Sequence, residues 1–162
     1  MLIMSASVTT TSERINIAQR LTDMAAERPD QTCIVMTQGK QAGKYKYRSV
    51  TFAELDEDSN RLAAGMRRLG LRAGQRIALL VPPSIDFVAW TFALFKTGAV
   101  TILIDPGMGK DNLIQCLADA KPDGFVTVRR GHLARLIYRH RFPDAKLNVS
   151  VGGWMPWSGP TD

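Results

Sequence analysis

Apolar residues along the chain follow two spacings, which predict helices and buried strands in alternation. In the clearest helix, apolar residues recur at intervals of three, four or seven positions and share one face: Phe52, Leu55, Leu62, Met66 and Leu69. Short continuous apolar runs between such segments are typical of strands. The pattern predicts helices over residues 15–27, 52–69, 85–96, 111–120 and 132–140. It predicts strands over residues 32–37, 45–50, 76–81, 100–104, 125–128 and 147–151.

The order of these segments predicts the fold class. From residue 76 onward strands and helices alternate, which is typical of βαβ units and a parallel sheet. These strands are continuous apolar runs, as expected where helices cover both faces of the sheet. The two earliest strands flank a turn at residues 39–43 and are predicted to pair as a hairpin, the first strand being buried. The prediction is α/β, a partial Rossmann-like parallel sheet with flanking helices.

Local signals set several helix ends. Thr51 and Glu54 have the spacing of a capping box, in which each side chain accepts a hydrogen bond from the other residue's backbone N–H. Ser84 is predicted to cap the helix that follows it. Gly70 and Gly98 stand where a helix ends in a left-handed residue.

Composition divides the chain into three parts. Residues 1–14 are rich in Ser and Thr and are predicted to be a flexible N-terminus. Residues 15–151 form the α/β domain, and residues 152–162 form a tail of Gly and Pro that carries Trp154, Met155 and Trp157. Three outcomes stay open for the tail: packing back locally, contact between chains, or contact with a further segment. We expect a truncation point there.

The net charge of +6 is concentrated in one segment. Residues 121–146 hold seven Lys or Arg and two Asp, which gives 7 − 2 = +5. In the predicted helix 132–140, Arg135 and Arg139 should face solvent while the apolar side packs, namely Leu133, Leu136 and Ile137. Binding to an anionic surface, an acyl-carrier partner or nucleic acid is the alternative. No base-stacking aromatic motif accompanies the charge, so nucleic acid is not predicted.

Composition also argues against several protein classes. The most apolar region, residues 77–104, is interrupted by Pro82, Pro83, Asp86 and Lys96, so no membrane span is predicted. No basic start precedes an apolar run at the N-terminus, so we expect no secretory signal and a cytoplasmic protein. Cys33 and Cys116 form no metal-binding pair and are expected to be buried, reduced thiols.

Other polar groups have simpler structural interpretations. The stretch Gly107–Lys110 follows a strand but lacks the remaining glycines and hydroxyl of a phosphate loop, so we interpret it as a strand-to-helix turn. His132 and His140 have no third ligand nearby in sequence, and no metal site is predicted. The acidic run 56–58, early in a helix, is expected to lie on the surface.

Three stretches, in this order and spacing, resemble the start of the acyl-adenylate-forming superfamily, which includes acyl-CoA synthetases, luciferases and peptide-synthetase adenylation domains. They are Val50–Leu55 with Asn60–Ala63 and Leu69–Gly70, then Gly74–Leu80 with Pro83–Ser84 and Phe87, then Phe95–Val100 with Ile104–Pro106. Within the family, Asp105–Gly109 followed by Asn112–Leu113 is similar to the long-chain fatty acyl ligases of bacterial olefin biosynthesis. Lys96 and Asp105 are interpreted as structural members of the motif.

The resemblance implies the N-terminal part of the large domain of an adenylate-forming enzyme. The complete enzyme would use ATP and Mg²⁺ to activate a fatty acid, then pass the acyl group to CoA or close a 3-hydroxy acid to a β-lactone. The chain lacks the family's phosphate loop, its later motifs and its catalytic lysine. We therefore assign no catalytic, cofactor-binding or metal-binding residue, and expect the chain alone to be inactive and to bind no cofactor.

The resemblance also implies the partners. These are the remainder of a longer polypeptide and the fatty acid substrate of the complete enzyme. Separately from the resemblance, the exposed truncation surface is a candidate for contact with a second copy of the chain. Two other hypotheses stay open at this point. One is a truncated scaffold or interaction module, and the other is an unrelated small nucleotide-binding α/β domain.

Overall fold

The computed structural model describes residues 15–152 of the chain. The N-terminus, predicted to be flexible, and the tail residues Trp154, Met155 and Trp157 lie outside this range. The helices are α1 (Gln19–Glu27), α2 (Phe52–Arg68), α3 (Ile85–Thr97), α4 (Lys110–Ala120) and α5 (Arg129–Ile137). The strands are β1 (Thr32–Gln41), β2 (Lys44–Thr51), β3 (Arg76–Leu80), β4 (Val100–Ile102), β5 (Gly124–Val128) and β6 (Leu147–Val151). Short 3-10 turns occupy Pro106–Met108 and Arg139–Arg141.

A four-stranded parallel sheet forms the centre of the structure, with the strand order β4-β3-β5-β6. The connection from β3 to β4 leads one way across the sheet, and the connections from β4 to β5 and from β5 to β6 lead the other way. Because parallel crossovers are right-handed, α3 lies on one face of the sheet and α4 and α5 lie on the opposite face. The α/β prediction with a parallel sheet and flanking helices is confirmed.

Alternate residues of the strands build two cores. On one face Ile77 and Leu79 pack with Trp90 and Ala93 of α3, and α2 covers the outside of α3. On the other face Ala78 and Phe125 pack with Leu117 of α4. Strands that are buried on both sides have continuous apolar sequences. The apolar runs in the sequence were therefore sufficient to predict β3, β5 and β6.

The predicted caps are present. The Glu54 N–H donates to Thr51 Oγ1 at 3.2 Å, and the Thr51 N–H donates to Glu54 Oε2 at 2.8 Å. Ser84 Oγ accepts from the Phe87 N–H at 3.1 Å and starts α3. Gly98 ends α3 with φ +73°, and a Cβ there would lie 3.1 Å from the Ala73 Cβ. The caps at Thr51 and Ser84 each join residues three positions apart, so the sequence alone predicts them.

The hairpin formed by β1 and β2 corrects one prediction. The two strands pair antiparallel as expected, but β1 is not a buried strand, since the Val35 side chain is 60% exposed. Only one side of the hairpin packs on the helices, through half-buried Cys33, Ile34 and Met36. The other side faces solvent, where the Val35, Tyr45 and Tyr47 side chains are exposed.

Several element boundaries differ from the predictions. Strand β1 extends to Gln41, through most of the predicted turn at residues 39–43. Helix α1 begins four residues later than predicted, because Asn16 Oδ1 accepts the Ala18 N–H at 2.9 Å in a turn before it. Strand β4 ends at Ile102 because β3 pairs with only three of its residues. Helix α5 begins at Arg129 rather than at His132, and a 3-10 turn follows it.

Helix α5 also faces the opposite way from the prediction. Leu133, Leu136 and Ile137 are exposed, whereas His132 is fully buried and Arg135 is half-buried. Contacts between residues far apart in sequence determine which side of α5 packs on the sheet. One of them is the contact of His132 with the Val149 carbonyl. None of the helices that the structure describes is both long enough and apolar enough to cross a bilayer.

Candidate functional site

A cavity of about 690 Å³ opens at the carboxyl ends of β3 and β5. Its walls come from the end of β3, the segment after β4, and the inner sides of α4 and α5. The lining is mainly apolar and includes Leu80, Phe87, Leu113, Ile114, Phe125 and Phe142. A concave apolar site with few polar groups is the usual form of a small-molecule site.

The cavity lies where the sheet topology predicts a site. Chain connections diverge between β3 and β5, with α3 leaving toward one face and α5 toward the other. The segments that follow these two strands, 81–83 and 128–131, therefore separate and leave a crevice between them. Ligands of open α/β sheets bind at such a point, outside the carboxyl ends of the strands.

Close packing of α5 on β5 fixes one wall of the cavity. The Thr127 hydroxyl donates to the Leu80 carbonyl at 2.9 Å and ties β5 to β3. Gly131 lies directly against this hydroxyl, and a Cβ at position 131 would collide with Thr127 Oγ1. Glycine at this position therefore lets α5 approach the sheet.

Arg135 and Asp105 are the charged side chains that line the cavity. Arg135 is half-buried, and its Nε atom is buried without a hydrogen-bond partner in the described structure. Burial lowers the pKa of the Arg135 guanidinium. Asp105 lies at the rim, where Oδ1 accepts the Gly107 N–H at 2.8 Å. The cavity can hold an apolar chain, and Arg135 offers one cation beside it.

The two histidines differ in exposure. His132 is buried, and its Nε2 atom lies 3.0 Å from the Val149 carbonyl, so Nε2 carries the proton. Desolvation lowers the pKa of His132, and the charge of Arg135 lowers it further. His140 is exposed in the second 3-10 turn. Residues 15–152 contain no group of three His, Cys, Asp or Glu side chains placed to hold a metal ion.

Lys96, a motif residue, joins two helices. Its ammonium lies 2.6 Å from Asp56 Oδ1 and donates to Ser59 Oγ and Asn60 Oδ1 at 2.8 Å each. The Asp56 side chain is 14% exposed, so the prediction of a surface role for the acidic run is wrong at Asp56. Burial raises the pKa of Asp56, but hydrogen bonds from Lys96, Thr22 and Asn60 outweigh it and lower the pKa overall.

The segment after β4 is a strand-to-helix connection, as predicted. Residues 106–108 form a 3-10 turn, Gly109 has φ +88°, and α4 begins at Lys110. The Lys110 ammonium lies 5.4 Å from the centre of the Tyr138 ring. A hydrogen bond with Tyr138 raises the pKa of Lys110. The lysine thus faces an aromatic ring of the same domain.

Both cysteines are free thiols, and each is half-buried rather than buried as predicted. The Cys33 thiol lies 3.2 Å from the Val50 carbonyl across the hairpin. Burial raises the pKa of Cys33, which disfavours the reactive thiolate.

The described residues do not by themselves fit ATP and Mg²⁺. A triphosphate needs several cations or a cradle of backbone N–H groups, and Mg²⁺ prefers carboxylates together with phosphate oxygens. The cavity lining offers one guanidinium, and its one carboxylate already accepts a backbone N–H.

Sequence reasoning missed the cavity and the position of Arg135. Both depend on β5 lying next to β3 although β4 comes between them in sequence. The sequence signal is modest. A Pro-Pro pair at residues 82–83 follows one apolar strand, and an Arg-Arg-Gly stretch at residues 129–131 follows another. Only the strand order brings these two segments together.

Comparison with known proteins gives matches over most of the chain. The family model described as AMP-binding enzyme matches residues 21–152. The olefin beta-lactone synthetase of Stenotrophomonas maltophilia is 40% identical over 150 residues, covering 90% of this chain and 27% of that protein. The olefin beta-lactone synthetase of Xanthomonas campestris is 43% identical over 148 residues, covering 90% and 26%. The chain spans about a quarter of the length of these curated relatives.

Solved structures share the fold. A long-chain-fatty-acid-CoA ligase from Archaeoglobus fulgidus superposes with a TM-score of 0.76 at 25% identity, covering 93% of this chain and 31% of that one. The anthranilate CoA ligase AuaEII, in complex with anthranoyl-AMP, superposes with a TM-score of 0.74 at 19% identity, covering 91% and 27%. The latter likeness shows the fold alone.

Proposed function

Because the chain belongs to the family of AMP-binding enzymes, whose model matches residues 21–152, we propose that it is the N-terminal part of a ligase that activates a fatty acid with ATP. The observation that carries the proposal is the 40–43% identity with olefin beta-lactone synthetases over 90% of the chain. The apolar cavity beside the motif segment after β4 supports an apolar substrate. The family match and the missing phosphate loop argue against an unrelated nucleotide-binding domain.

The reaction we propose for the complete enzyme has two steps. The fatty acid carboxylate attacks the α-phosphorus of ATP, so that acyl-AMP forms and pyrophosphate leaves. The acyl group then passes to the thiol of CoA or to the substrate's own 3-hydroxyl, and AMP leaves. Mg²⁺ and basic groups would counter the phosphate charge in the first step. None of the residues described above is assigned to these roles.

The part we propose for this chain is structural. Lys96 and Asp56 join α2 to α3, and the motif segment after β4 supports the cavity rim. The remainder of a longer polypeptide would supply the phosphate loop and the catalytic groups. The two half-buried free cysteines fit the reducing cytoplasm, which is where we place the protein.

Pyrophosphate release tests this proposal. The chain is incubated with ATP, Mg²⁺ and a 3-hydroxy fatty acid, and phosphate is measured after addition of pyrophosphatase. We expect no release above the protein-free control, because the chain lacks the groups that stabilise phosphate charge. Release should appear when the downstream polypeptide of the same gene is added. The downstream polypeptide alone is the matched control, and turnover by the 162-residue chain alone would overturn the proposed division of roles.

A second candidate is an interaction module that acts through its exposed apolar surfaces, including contact with a second copy. It is favoured by Val100 and Leu103 at the open β4 edge, which are 48% and 52% exposed. Sedimentation velocity separates the candidates. A stable dimer, together with no restored pyrophosphate release, would favour the module.

A further inference from the structure

Helix α5 presents apolar and cationic side chains on the same exposed surface. Leu133, Leu136 and Ile137 are 56%, 40% and 64% exposed. Their spacing of three and four residues places them on one side of the helix. Exposed arginines lie at both ends of this apolar side: Arg129 and Arg130 at the start of the helix, and Arg139 in the 3-10 turn beyond it. We call these six residues the α5 surface.

The arginines of the α5 surface have no acidic partner in residues 15–152. The ion pairs of the described structure join Arg20 to Asp23, Arg61 to Asp58, and Lys96 to Asp56. Each of these involves residues of α1, α2 or α3, and none involves α5. Within residues 15–152 the α5 surface is therefore a cationic patch, and none of its arginines forms an ion pair there.

The side chains of the α5 surface favour an anionic lipid membrane over a nucleic acid as the partner. A nucleic acid is held by cations and by aromatic side chains that stack on bases, and the α5 surface holds aliphatic side chains instead. An anionic lipid surface offers phosphates at headgroup level and hydrocarbon just below it. Arginines that flank exposed Leu and Ile side chains match both layers at once.

We propose that the α5 surface binds the surface of anionic phospholipid membranes, with α5 lying parallel to the bilayer. Leu133, Leu136 and Ile137 would enter the boundary between headgroups and acyl chains, while Arg129, Arg130 and Arg139 contact lipid phosphates. Binding is peripheral, since a nine-residue helix is about 14 Å long. It does not depend on the proposed ligase activity.

The hairpin provides a comparison within the same molecule. Strand β2 is also basic, with Lys44, Lys46 and Arg48, and it carries exposed Tyr45 and Tyr47. Successive residues of a strand point to opposite faces, so its cations lie on the face opposite the tyrosines. The cations of β2 are therefore separated from its tyrosines, and the one cation that the described structure places at this aromatic surface is Lys40 of β1, whose ammonium lies 4.9 Å from the centre of the Tyr45 ring. On α5, by contrast, three arginines share one surface with three aliphatic side chains. The hairpin should bind anionic lipid much more weakly.

Vesicle co-sedimentation tests the proposal. The 162-residue chain is mixed with vesicles of equal parts phosphatidylcholine and phosphatidylglycerol, or with pure phosphatidylcholine. We expect binding to the anionic vesicles only, and a loss of about tenfold in affinity at high salt, because salt screens the arginine–phosphate attraction. Equal binding to neutral vesicles, or no binding to either, would overturn the proposal.

Two variants and one matched control locate the surface. Arg129→Gln with Arg130→Gln removes two charges, and Leu133→Gln with Ile137→Gln removes apolar contact while keeping good helix formers. Each should lower the affinity about tenfold or more. Lys44→Gln with Lys46→Gln removes the same charge from the hairpin and should leave binding nearly unchanged. Circular dichroism and urea unfolding establish that each variant is folded.

The pattern of losses decides the outcome. An equal loss in the hairpin control would mean non-specific charge attraction and would contradict the proposal. No loss on replacing Leu133 and Ile137 would contradict it as well, since the apolar side would then be irrelevant. Abolition of vesicle binding by the downstream polypeptide would show that α5 is an interface within the complete enzyme, and would also overturn it.

Discussion

At the scale of single residues, the Lys96–Asp56 pair is the least exposed of the ion pairs in residues 15–152. The two side chains are 10% and 14% exposed and lie 40 positions apart in sequence. Ser59 and Asn60 complete the hydrogen bonds of the lysine ammonium. A pair this enclosed is costly to break, because removing one partner leaves the other charge poorly solvated.

Lys96→Met should destabilise the chain by about 2 kcal/mol, somewhat less than a fully buried pair because both side chains keep some exposure. The methionine keeps the length of the side chain and removes the charge, so Asp56 retains only its contacts with Thr22 and Asn60. Urea unfolding measures the change. Arg61→Met is the control, because its pair with Asp58 has an arginine that is 68% exposed, and it should cost less than about 0.5 kcal/mol.

The pH dependence of the stability of Lys96→Met tests whether the ion pair is the source of the loss. The pKa of Asp56 is lowered in the folded state, so its contribution is present above the ordinary carboxyl pKa of 3.8 and is lost as pH falls below it. The stability difference between wild type and Lys96→Met should therefore shrink below about pH 4. A difference that stays constant down to the acid unfolding transition would mean that the ion pair is not its source.

At the scale of elements, the packing of α5 on β5 depends on a single glycine. Gly131 lies against the Thr127 hydroxyl, and Thr127 is itself held by the Leu80 carbonyl. The buried Thr127 cannot move outward without breaking that hydrogen bond. A side chain at position 131 must therefore displace the start of α5, and with it one wall of the cavity.

Gly131→Ala should destabilise the chain by about 1–3 kcal/mol, the usual cost of overpacking. Gly65→Ala is the matched control, because Gly65 lies in α2 with open space where its Cβ would be. That substitution should be neutral or stabilising by up to about 1 kcal/mol, since alanine is the better helix former. Thermal unfolding of both variants measures the contrast. Equal effects would indicate that close packing at Gly131 does not position α5.

The elements also show what the sequence could predict. The capping box of Thr51 and Glu54 and the cap at Ser84 involve neighbours in sequence, so their residue types predict them directly. The orientation of α5 depends instead on β6, which follows it, through the His132 contact with the Val149 carbonyl. Its apolar residues alone predicted burial, and the structure exposes them.

At the scale of the whole molecule, the cavity arises from strand order. Placing β5 beside β3 sends α3 and α5 to opposite faces and opens the crevice between them. The sequence predicted a parallel sheet but contained no local signal for the order of its strands. The cavity and the position of Arg135 within it could therefore not be predicted. The Asp56–Lys96 pair was missed for the same reason, because α2 and α3 meet only through the packed fold.

The cavity should bind a hydrophobic anion. The dye ANS has an aromatic body that fits apolar walls and a sulfonate that Arg135 can contact. We expect its fluorescence to rise with the wild-type chain and to fall about severalfold with Ala134→Trp, since Ala134 lines the cavity and a tryptophan would fill much of it. Ala64→Trp, at an exposed position of α2, is the control and should bind ANS as wild type does. If both variants bind the dye equally, it occupies another apolar surface, and the cavity is not open in solution.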